Sequence, residues 1–353
     1  MPIGGFTLLA TVLFFNFDGS ADGKAPGVLE SIKQLDPLGV FLFVPSMTCL
    51  ILALQWGGST DPWSAPRIIG LLVAFAVLFV LFIAVEVLTP KTAMAPMRVV
   101  LNRSIAACMF YMLLISGAMM SVIYYITIWF QTTKQDSPTS AGIKTIPIVL
   151  SMVIIIILSA KITERIGYYV PAMLLSPVLC ATGAGLLSTL SPTSGHDKWI
   201  GYQALYGFGI GCGFQVGPLA AQTVLPRADV PIGLAMMFFM QQLGGAVFLS
   251  VSQNIFSTKL VEKLSGVANL DTEAILHVGA TELKNVVPAE QLSTVVDAYN
   301  YSLTKVFILA AALSACMIIG ALAVEWRSIK GREGSLKPVD EEEEKSATDK
   351  TDV

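Results

Sequence analysis

Long apolar runs alternate with short polar breaks along most of the chain. The run from Ile68 to Val85, for example, contains no charged residue. A bilayer core of about 30 Å requires roughly 20 mostly apolar helical residues, because each residue advances about 1.5 Å along the axis. This requirement predicts about nine transmembrane helices, the first shorter than the others. The predicted spans are 2–16, 36–56, 67–87, 104–130, 140–160, 169–190, 199–224, 232–256 and 303–325.

Lysine and arginine are distributed unevenly between alternate polar breaks. Because basic residues favour short cytoplasmic loops, the richer set is predicted to be cytoplasmic. The chain then starts outside, ends inside and exports the long break near 257–302. The richer set contains Lys24, Lys33, Lys91, Arg98, Arg103, Lys161, Arg165 and Arg227, and the other set contains Arg67, Lys134 and Lys198.

The exported break has apolar residues at near-helical spacing between polar ones, which predicts short amphipathic helices on the outer face. Asn300-Tyr301-Ser302 is a glycosylation sequon, but it adjoins the last span, so glycosylation is the less favoured alternative. The apolar positions are Leu260, Val261, Leu264, Val267, Leu270, Ala274, Ile275 and Val278.

Composition supports a membrane protein and excludes several other classes. Hydrophobic residues make up 54% of the chain and charged residues 13%, far from the values of soluble domains. The five cysteines lie in apolar runs without CxxC spacing, and the two histidines lie in predicted loops, so we expect neither a metal site nor a cofactor. No basic patch with interleaved aromatics is present, so nucleic acid is not an expected partner.

Polar residues inside the predicted spans are the candidates for a substrate pathway, because such side chains usually face a bundle interior or an aqueous cavity. At about 100° per residue, Gln215 and Gln222 share one helix face, and Gln242 and Gln253 share another. Glutamines with aromatic neighbours suit a large, weakly polar ligand. Interhelical hydrogen bonding, worth about 1 kcal/mol each, is the open alternative. The candidates are Tyr111, Tyr124, Tyr125, Gln215, Gln222, Gln241, Gln242 and Gln253.

Glycines are dense in the seventh predicted span, where pairs at 207/211 and 209/213 have small-xxx-small spacing. Such spacing predicts close helix packing rather than nucleotide binding, since no strand precedes it. The charged residues near membrane depth, Asp36, Glu86, Lys144 and Lys305, are predicted to reach the interface. The predicted packing glycines are Gly207, Gly209, Gly211, Gly213, Gly244 and Gly245.

An ordered set of short segments resembles the fungal fourteen-spanner drug:proton antiporters of the major facilitator superfamily. The similarity runs from residue 2 to about 326. The segments in this order point to the family more specifically than any one segment does alone. The segments are Asp36-Pro37-Leu38-Gly39, Ala53-Leu54-Gln55-Trp56-Gly57-Gly58, Asn102-Arg103-Ser104, Trp129-Phe130-Gln131, Gly207 through Gln215, and Gln241-Gln242-Leu243-Gly244-Gly245.

The resemblance implies an all-α polytopic membrane protein with an incomplete major facilitator fold. Members have six helices, a linker pair and six more, so the spans correspond to helices six to fourteen. The implied division is 1–20, last helix of the N-terminal bundle; 21–100, two-helix linker; 101–326, C-terminal six-helix bundle; and 327–353, disordered acidic cytoplasmic tail. Within the C-terminal bundle, the first three and last three helices are expected to form an inverted repeat around a midplane cavity.

The resemblance further implies proton-driven export of a hydrophobic toxin or drug, without enzymatic activity. The expected partners are the lipid bilayer, the small molecule and protons. Lys161 and Arg165 lie in a segment that looks like the family's second cytoplasmic gating motif, although a plain cytoplasmic basic loop is equally compatible. The family's first five helices have no counterpart, so no proton-coupling residue can be assigned.

Three alternatives remain open to the sequence. The chain could be a truncated, non-transporting membrane protein that partners with or regulates full-length pumps, or a fragment of a longer gene product. A membrane enzyme is disfavoured, because no paired intramembrane acids, histidine cluster or nucleophile with a base is visible. We expect a multi-pass protein of the plasma membrane, with the vacuolar membrane as the alternative, and self-association through the exposed bundle face.

Overall fold

The computed structural model describes residues 36–58, 61–89, 96–265, 288 and 291–330. Within these ranges every regular element is helical. The helices are α1 Pro37–Trp56, α2 Pro66–Leu88, α3 Met97–Val100, α4 Arg103–Thr133, α5 Pro138–Lys144, α6 Ile146–Ile166, α7 Val170–Leu187, α8 His196–Gly213, α9 Val216–Val224, α10 Val230–Leu264 and α11 Leu292–Ala323.

The all-α polytopic fold is confirmed. Among the described residues, seven helical stretches are long and apolar enough to cross a membrane, with α5 and α6 counted as one. Each predicted span after residue 35 has a helical counterpart, and the predicted span 199–224 is divided between α8 and α9. The predicted span 2–16, the basic residues Lys24, Lys33 and Lys91 and the tail beyond 330 lie outside the described residues.

Helix ends follow from local sequence. The Asn102 side chain caps α4 by accepting from the backbone N–H of Ser104 at 3.1 Å. Asp36 caps α1 in the same way by accepting from Gly39 N–H at 3.0 Å. At the other end of a helix, Gly167 terminates α6 with φ of 81°, a left-handed conformation that glycine adopts without strain. The polar breaks in the sequence therefore mark real helix boundaries.

The long break near 257–302 is shorter than predicted. Helix α10 continues to Leu264 and α11 begins at Leu292. Leu260 and Leu264 are 0% and 1% exposed, so they belong to the protein core rather than to amphipathic helices on the outer face. Their apolar spacing comes from packing between the extended ends of helices. The hydrophobic periodicity of the sequence is the same for a helix that packs on other helices and for one that lies on a membrane surface. The predicted positions 267–278 lie outside the described residues.

The sequon within this break is held inside the bundle. Asn300 Oδ1 accepts a hydrogen bond from Trp129 Nε1 at 2.8 Å, and Asn300 Nδ2 donates to the Leu190 carbonyl at 3.2 Å. Ser302 is fully buried. A glycan would have to be attached to Nδ2, the atom that lies against the Leu190 carbonyl, so the structure favours an unmodified Asn300.

Helix α4 is the centre of one half of the bundle. It runs parallel to α10, since Leu113 lies against Gly244 and Ser121 accepts from Ser252 at 2.8 Å further along both helices. It runs antiparallel to α11, because Arg103 at its start donates to the Ala323 carbonyl at 2.9 Å. The two partners of α4 therefore have opposite directions.

Helix α8 has the same relationship to its neighbours in the other half. It runs parallel to α6, as Gly207 and Gly211 lie against Ile148 and Met152. It runs antiparallel to α7, because Gly183 lies against Tyr206 and Cys180 lies against Gly209. Helix α7 also packs against α11. If α4, α6 and α7 are matched in order with α8, α10 and α11, the packing of α4 on α10 and α11 corresponds to the packing of α8 on α6 and α7. This correspondence is the arrangement expected of the predicted inverted repeat.

The hairpin of α1 and α2 lies beside the bundle and contacts it mainly through α10. Asn254 of α10 accepts from Trp63 Nε1 at 3.1 Å and donates to the Gly57 carbonyl at 3.3 Å. The Phe43 and Phe239 rings lie 5.1 Å apart between α1 and α10. Most of the hairpin surface is exposed, as expected for helices that face lipid. Its predicted role as a linker stays a prediction.

We predict that the turn after α10 is extracellular and that the tail is cytoplasmic, because of the asymmetry of lysine and arginine. In a chain whose native cysteines are alanine, Ser265→Cys should react with a membrane-impermeant maleimide in intact cells. Ser346→Cys should react only after permeabilisation. The opposite labelling pattern would contradict the predicted orientation.

Candidate functional site

The predicted span 199–224 is interrupted in its middle. Helix α8 ends at Gly213 and α9 begins at Val216. Pro218 has no N–H to donate to the Phe214 carbonyl, so the helical hydrogen bonding cannot continue unbroken through this point. Gln215 lies at the interruption and is exposed. Pro218 thus accounts for a helix break at which Gln215 lies inside a mostly apolar bundle.

Gln215 and Gln222 line one cavity of about 230 Å³ between α6 and the α8–α9 break. Ser159 and Thr163 of α6 also line it. None of these side chains hydrogen-bonds to another residue in the described parts of the chain. The cavity lies near the predicted cytoplasmic ends of α6 and α9. Its amide and hydroxyl groups can therefore hydrogen-bond to water or to a bound molecule.

A second cavity, of about 360 Å³, lies between α1, α4 and α10. Tyr124 and Gln253 contribute to its wall, and Tyr124 is 50% exposed. Gln253 Oε1, however, accepts a hydrogen bond from Tyr125 Oη at 2.8 Å, and Tyr125 itself is fully buried. For Tyr125 and Gln253, the structure therefore has the interhelical hydrogen bond that was the alternative to a pathway role.

The remaining candidates are dispersed. Tyr111 is fully buried beside Gly213 and Ser176, and Gln241 is 8% exposed. Gln242 is exposed on α10, but it lines neither of the two cavities described above. The eight candidates do not form one site in the described structure. Helical periodicity identified shared faces within one helix, but it could not identify which helices lie opposite.

The glycines of α8 face two different helices. A Cβ at Gly211 would lie 2.6 Å from the Met152 carbonyl oxygen of α6, and one at Gly209 would lie 2.5 Å from the Cys180 nitrogen of α7. Gly207 faces α6 and Gly213 faces α7 and Tyr111. Real Cβ atoms do not approach backbone this closely, so larger residues would separate the helices. Alternate glycines therefore allow α8 to approach two neighbours.

The glycines of α10 differ from each other. A Cβ at Gly244 would lie 2.7 Å from the Leu113 carbonyl carbon of α4, which leaves no space for a side chain. A Cβ at Gly245 would meet only side-chain atoms of Met120 and Ser116, each at 3.2 Å. Close approach of α10 to α4 thus depends more on Gly244 than on Gly245.

The predicted gate residues lie in the last turns of α6. Lys161 and Arg165 are both exposed, and neither forms an ion pair with another residue of the described ranges. The backbone around Arg165 is tied to the segment after α11, since Lys330 Nζ donates to the Arg165 carbonyl at 2.8 Å. A gating role for the two basic side chains stays a prediction.

Several charged contacts were not anticipated from the sequence. Arg98 and Asp229 form an ion pair at 2.7 Å that joins α3 to the turn before α10. Lys144 pairs with Asp136 at 2.5 Å, instead of extending alone to the interface. Lys134 Nζ donates to the Pro192 and Ser194 carbonyls, and partial burial, followed by the charge of Lys144, lowers the pKa of Lys134. These contacts fasten loops at both predicted membrane surfaces.

Glu86 departs most from expectation. The sequence placed it at a helix end where its carboxylate could reach water, but it is only 2% exposed. It lies on the same face of α2 as Phe82, one turn earlier, and this face is directed towards α1 and α10. Because α2 is apolar at almost every position, its sequence shows no apolar stripe from which the inward direction of Glu86 could be predicted.

No protein-family model matches the chain. It is 43% identical to "Efflux pump aflT" of Aspergillus parasiticus over 94% of this chain and 65% of that protein. It is 44% identical to "MFS-type efflux pump MFS1" of Trichophyton rubrum, with coverage of 94% and 62% respectively. It is also 40% identical to "Efflux pump roqT" of Penicillium rubens, with coverage of 94% and 61%. The chain therefore spans less than two thirds of the length of these relatives, and the similarity supports the major facilitator efflux family.

Proposed function

We propose that the chain forms the C-terminal part of a fourteen-spanner exporter that moves hydrophobic small molecules across a membrane in exchange for protons. Relatives named as efflux pumps, with which the chain shares 43% and 44% identity, support the transport class. The division of the chain at residues 20 and 100, and its place in the plasma membrane, belong to the same proposal.

The observation that carries this proposal is the polar cavity beside the α8–α9 break. Gln215 and Gln222 present amide groups there, and Ser159 and Thr163 present hydroxyl groups. Exposing such groups to lipid is unfavourable, so a water-filled pathway is the more stable environment for them. Their neutral donors and acceptors suit the carbonyl, ether and hydroxyl groups of a weakly polar molecule.

The packing of α8 suggests how this cavity could change between states. Gly211 lets α8 lie directly on α6, and Gly209 lets it lie directly on α7. Smooth glycine surfaces permit small sliding movements that bulky side chains would block. A substrate that binds one arrangement more tightly shifts the equilibrium towards it, as alternating access requires.

Replacing Gln215 by leucine tests the proposal. The experiment uses a chimera that joins this chain to the part of the Trichophyton rubrum relative left uncovered by the similarity. We expect resistance to the preferred substrate to fall about tenfold, which corresponds to loss of about 1.4 kcal/mol of substrate hydrogen bonding. Protein abundance should stay within about twofold, since no described residue loses a hydrogen bond. Resistance and abundance are measured in the same cells.

Gln253→Leu is the matched control. It removes the acceptor of Tyr125 Oη, so abundance should fall together with resistance. If Gln215→Leu behaves like this control, interhelical bonding is the better account of Gln215 as well. If Gln215→Leu changes neither quantity, the cavity is not part of the pathway.

A further inference from the structure

The segment 325–330, which follows α11, is fastened to the predicted cytoplasmic end of α6. The Ile329 N–H donates to the Gly167 carbonyl at 2.8 Å, just after α6 ends. One residue further along, Lys330 Nζ donates to the Arg165 carbonyl at 2.8 Å. Two backbone carbonyls at the end of α6 therefore hold the chain at the point where it continues into residues 331–353.

Three cations lie at this junction, and they define the basic surface of α6: Lys161, Arg165 and Lys330. Lys161 and Arg165 are exposed, and their spacing of four residues places them on one side of the helix. Within the described ranges, none of the three cations forms an ion pair. Glu164 adds one exposed carboxylate to the same turn, so positive charge remains in excess. Like charges four residues apart destabilise a helix, so an anionic partner would stabilise this surface.

The basic surface is separate from the polar cavity beside the α8–α9 break. Thr163 lines that cavity and lies two residues from both Lys161 and Arg165. At about 100° per residue, this spacing places Thr163 on the opposite side of α6. A partner of the basic surface therefore does not have to enter the proposed pathway.

An acidic run of five residues follows in the same chain. Positions 340–344 read Asp-Glu-Glu-Glu-Glu and lie outside the described residues. The run begins ten positions after Lys330, and ten extended residues span about 33 Å. Lys161 and Arg165 are only about 6 Å apart along the helix axis. The run can therefore reach the whole basic surface, and a short tether gives it an effective concentration on the order of millimolar.

We propose that the acidic run 340–344 binds the basic surface of α6 as an intramolecular contact. Several carboxylates pair there with Lys161, Arg165 and Lys330 together, which relieves the repulsion among the cations. Anionic headgroups of the cytoplasmic leaflet match the same charge, but they lack the tether that the contacts of Lys330 and Ile329 provide. Exposed charge contacts are weak and screened by salt, so the bound run is released readily. The proposal does not depend on the transport function proposed above.

The test measures the distance between the acidic run and the end of α6. Nitroxide labels are attached at Ile166→Cys and Ser346→Cys in a chain of residues 1–353 whose native cysteines are alanine. Distances are measured by double electron–electron resonance in phosphatidylcholine nanodiscs. We expect a short-distance population in about 50 mM salt that shrinks at least about threefold in about 1 M salt, because salt screens exposed charges.

Charge reversal on each side of the contact gives a sharper comparison. Lys161→Glu combined with Arg165→Glu, called the α6 variant, should shrink the short-distance population at least about threefold. Reversing the acidic run to lysine should do the same, and joining both sets of changes should restore the population. The salt dependence of the unchanged helix keeps the proposal testable if the α6 variant does not fold. The reversed run contains Asp340→Lys, Glu341→Lys, Glu342→Lys, Glu343→Lys and Glu344→Lys.

Lys198→Glu combined with Lys263→Glu is the matched control. It changes the net charge by the same amount at exposed positions on the predicted outer side, and it should leave the distances unchanged. Distances that respond neither to salt nor to charge reversal would overturn the proposal, as would an equal response to the control. Loss of the short-distance population in nanodiscs that contain phosphatidylserine would overturn it too, and would assign the basic surface to anionic headgroups.

Discussion

Replacing Gly211 by valine is expected to remove most of the folded protein from the membrane. A Cβ at this position would lie 2.6 Å from the Met152 carbonyl oxygen, which belongs to the backbone of α6 and cannot rotate away. The helices would have to separate along a contact that also includes Gly207. Overpacking of this kind typically destabilises by about 1–3 kcal/mol, and backbone contacts lie at the upper end. Abundance of monodisperse protein, measured by fluorescence-detected gel filtration, should fall at least about fivefold.

Gly201→Val is the matched control, because Gly201 lies in the same helix and a Cβ there meets nothing within 4 Å. It introduces the same β-branched residue and the same propensity change without the collision. We expect near wild-type abundance and melting temperature for this variant. Similar losses for Gly201→Val and Gly211→Val would mean that helix propensity, and not packing against α6, governs stability here.

Residues 1–353 alone are expected to show no substrate-dependent proton movement. Alternating access requires two bundles that move around a shared site, and the described residues provide one bundle and the hairpin. The exposed polar side chains Tyr124, Gln215 and Gln242 would then face lipid or another copy of the chain. The chimera with the uncovered part of the Trichophyton rubrum relative should move protons when substrate is added.

Both proteins are compared in liposomes that contain a pH-sensitive dye, at equal protein-to-lipid ratio. The short chain should also elute from gel filtration as a self-associated species, since the described residues include no second bundle to cover Tyr124, Gln215 and Gln242. Coupled proton movement by the short chain alone would refute the need for a second bundle. A monomeric short chain would contradict the expected self-association.

The helical architecture could be predicted well because membrane spans have a simple physical signature. Uninterrupted apolar length determined α1, α2 and α4 to within a few residues of the structure. The extents of α10 and α11 were underestimated, since their outer turns contain polar residues such as Lys259 and Asp297 and continue outside the apolar run. Apolar periodicity there indicated a buried face, but it did not identify what covers that face.

The candidate site could be predicted only in part. The shared face of Gln215 and Gln222 follows from their spacing along one stretch of chain. The contributions of Ser159 and Thr163 depend on the packing of α6 against α8, which one sequence does not specify. The hydrogen bond between Tyr125 and Gln253 likewise joins residues 128 positions apart. For Glu86, the prediction that its side chain extends to the membrane interface was wrong. The side chain is directed towards α1 and α10, whose packing against α2 could not be predicted from the sequence.

The central claim is that the cavity beside the α8–α9 break is a water-filled part of a substrate pathway. Its most direct test is the reaction of Gln215→Cys and Gln222→Cys with a water-soluble maleimide, in the chimera with native cysteines replaced. Ile157→Cys, on the exposed apolar surface of α6, is the control. The proposal predicts that both cavity positions react, that the transported substrate slows their reaction, and that Ile157→Cys stays unreactive. Unreactive cavity positions, or labelling that substrate does not slow, would contradict it.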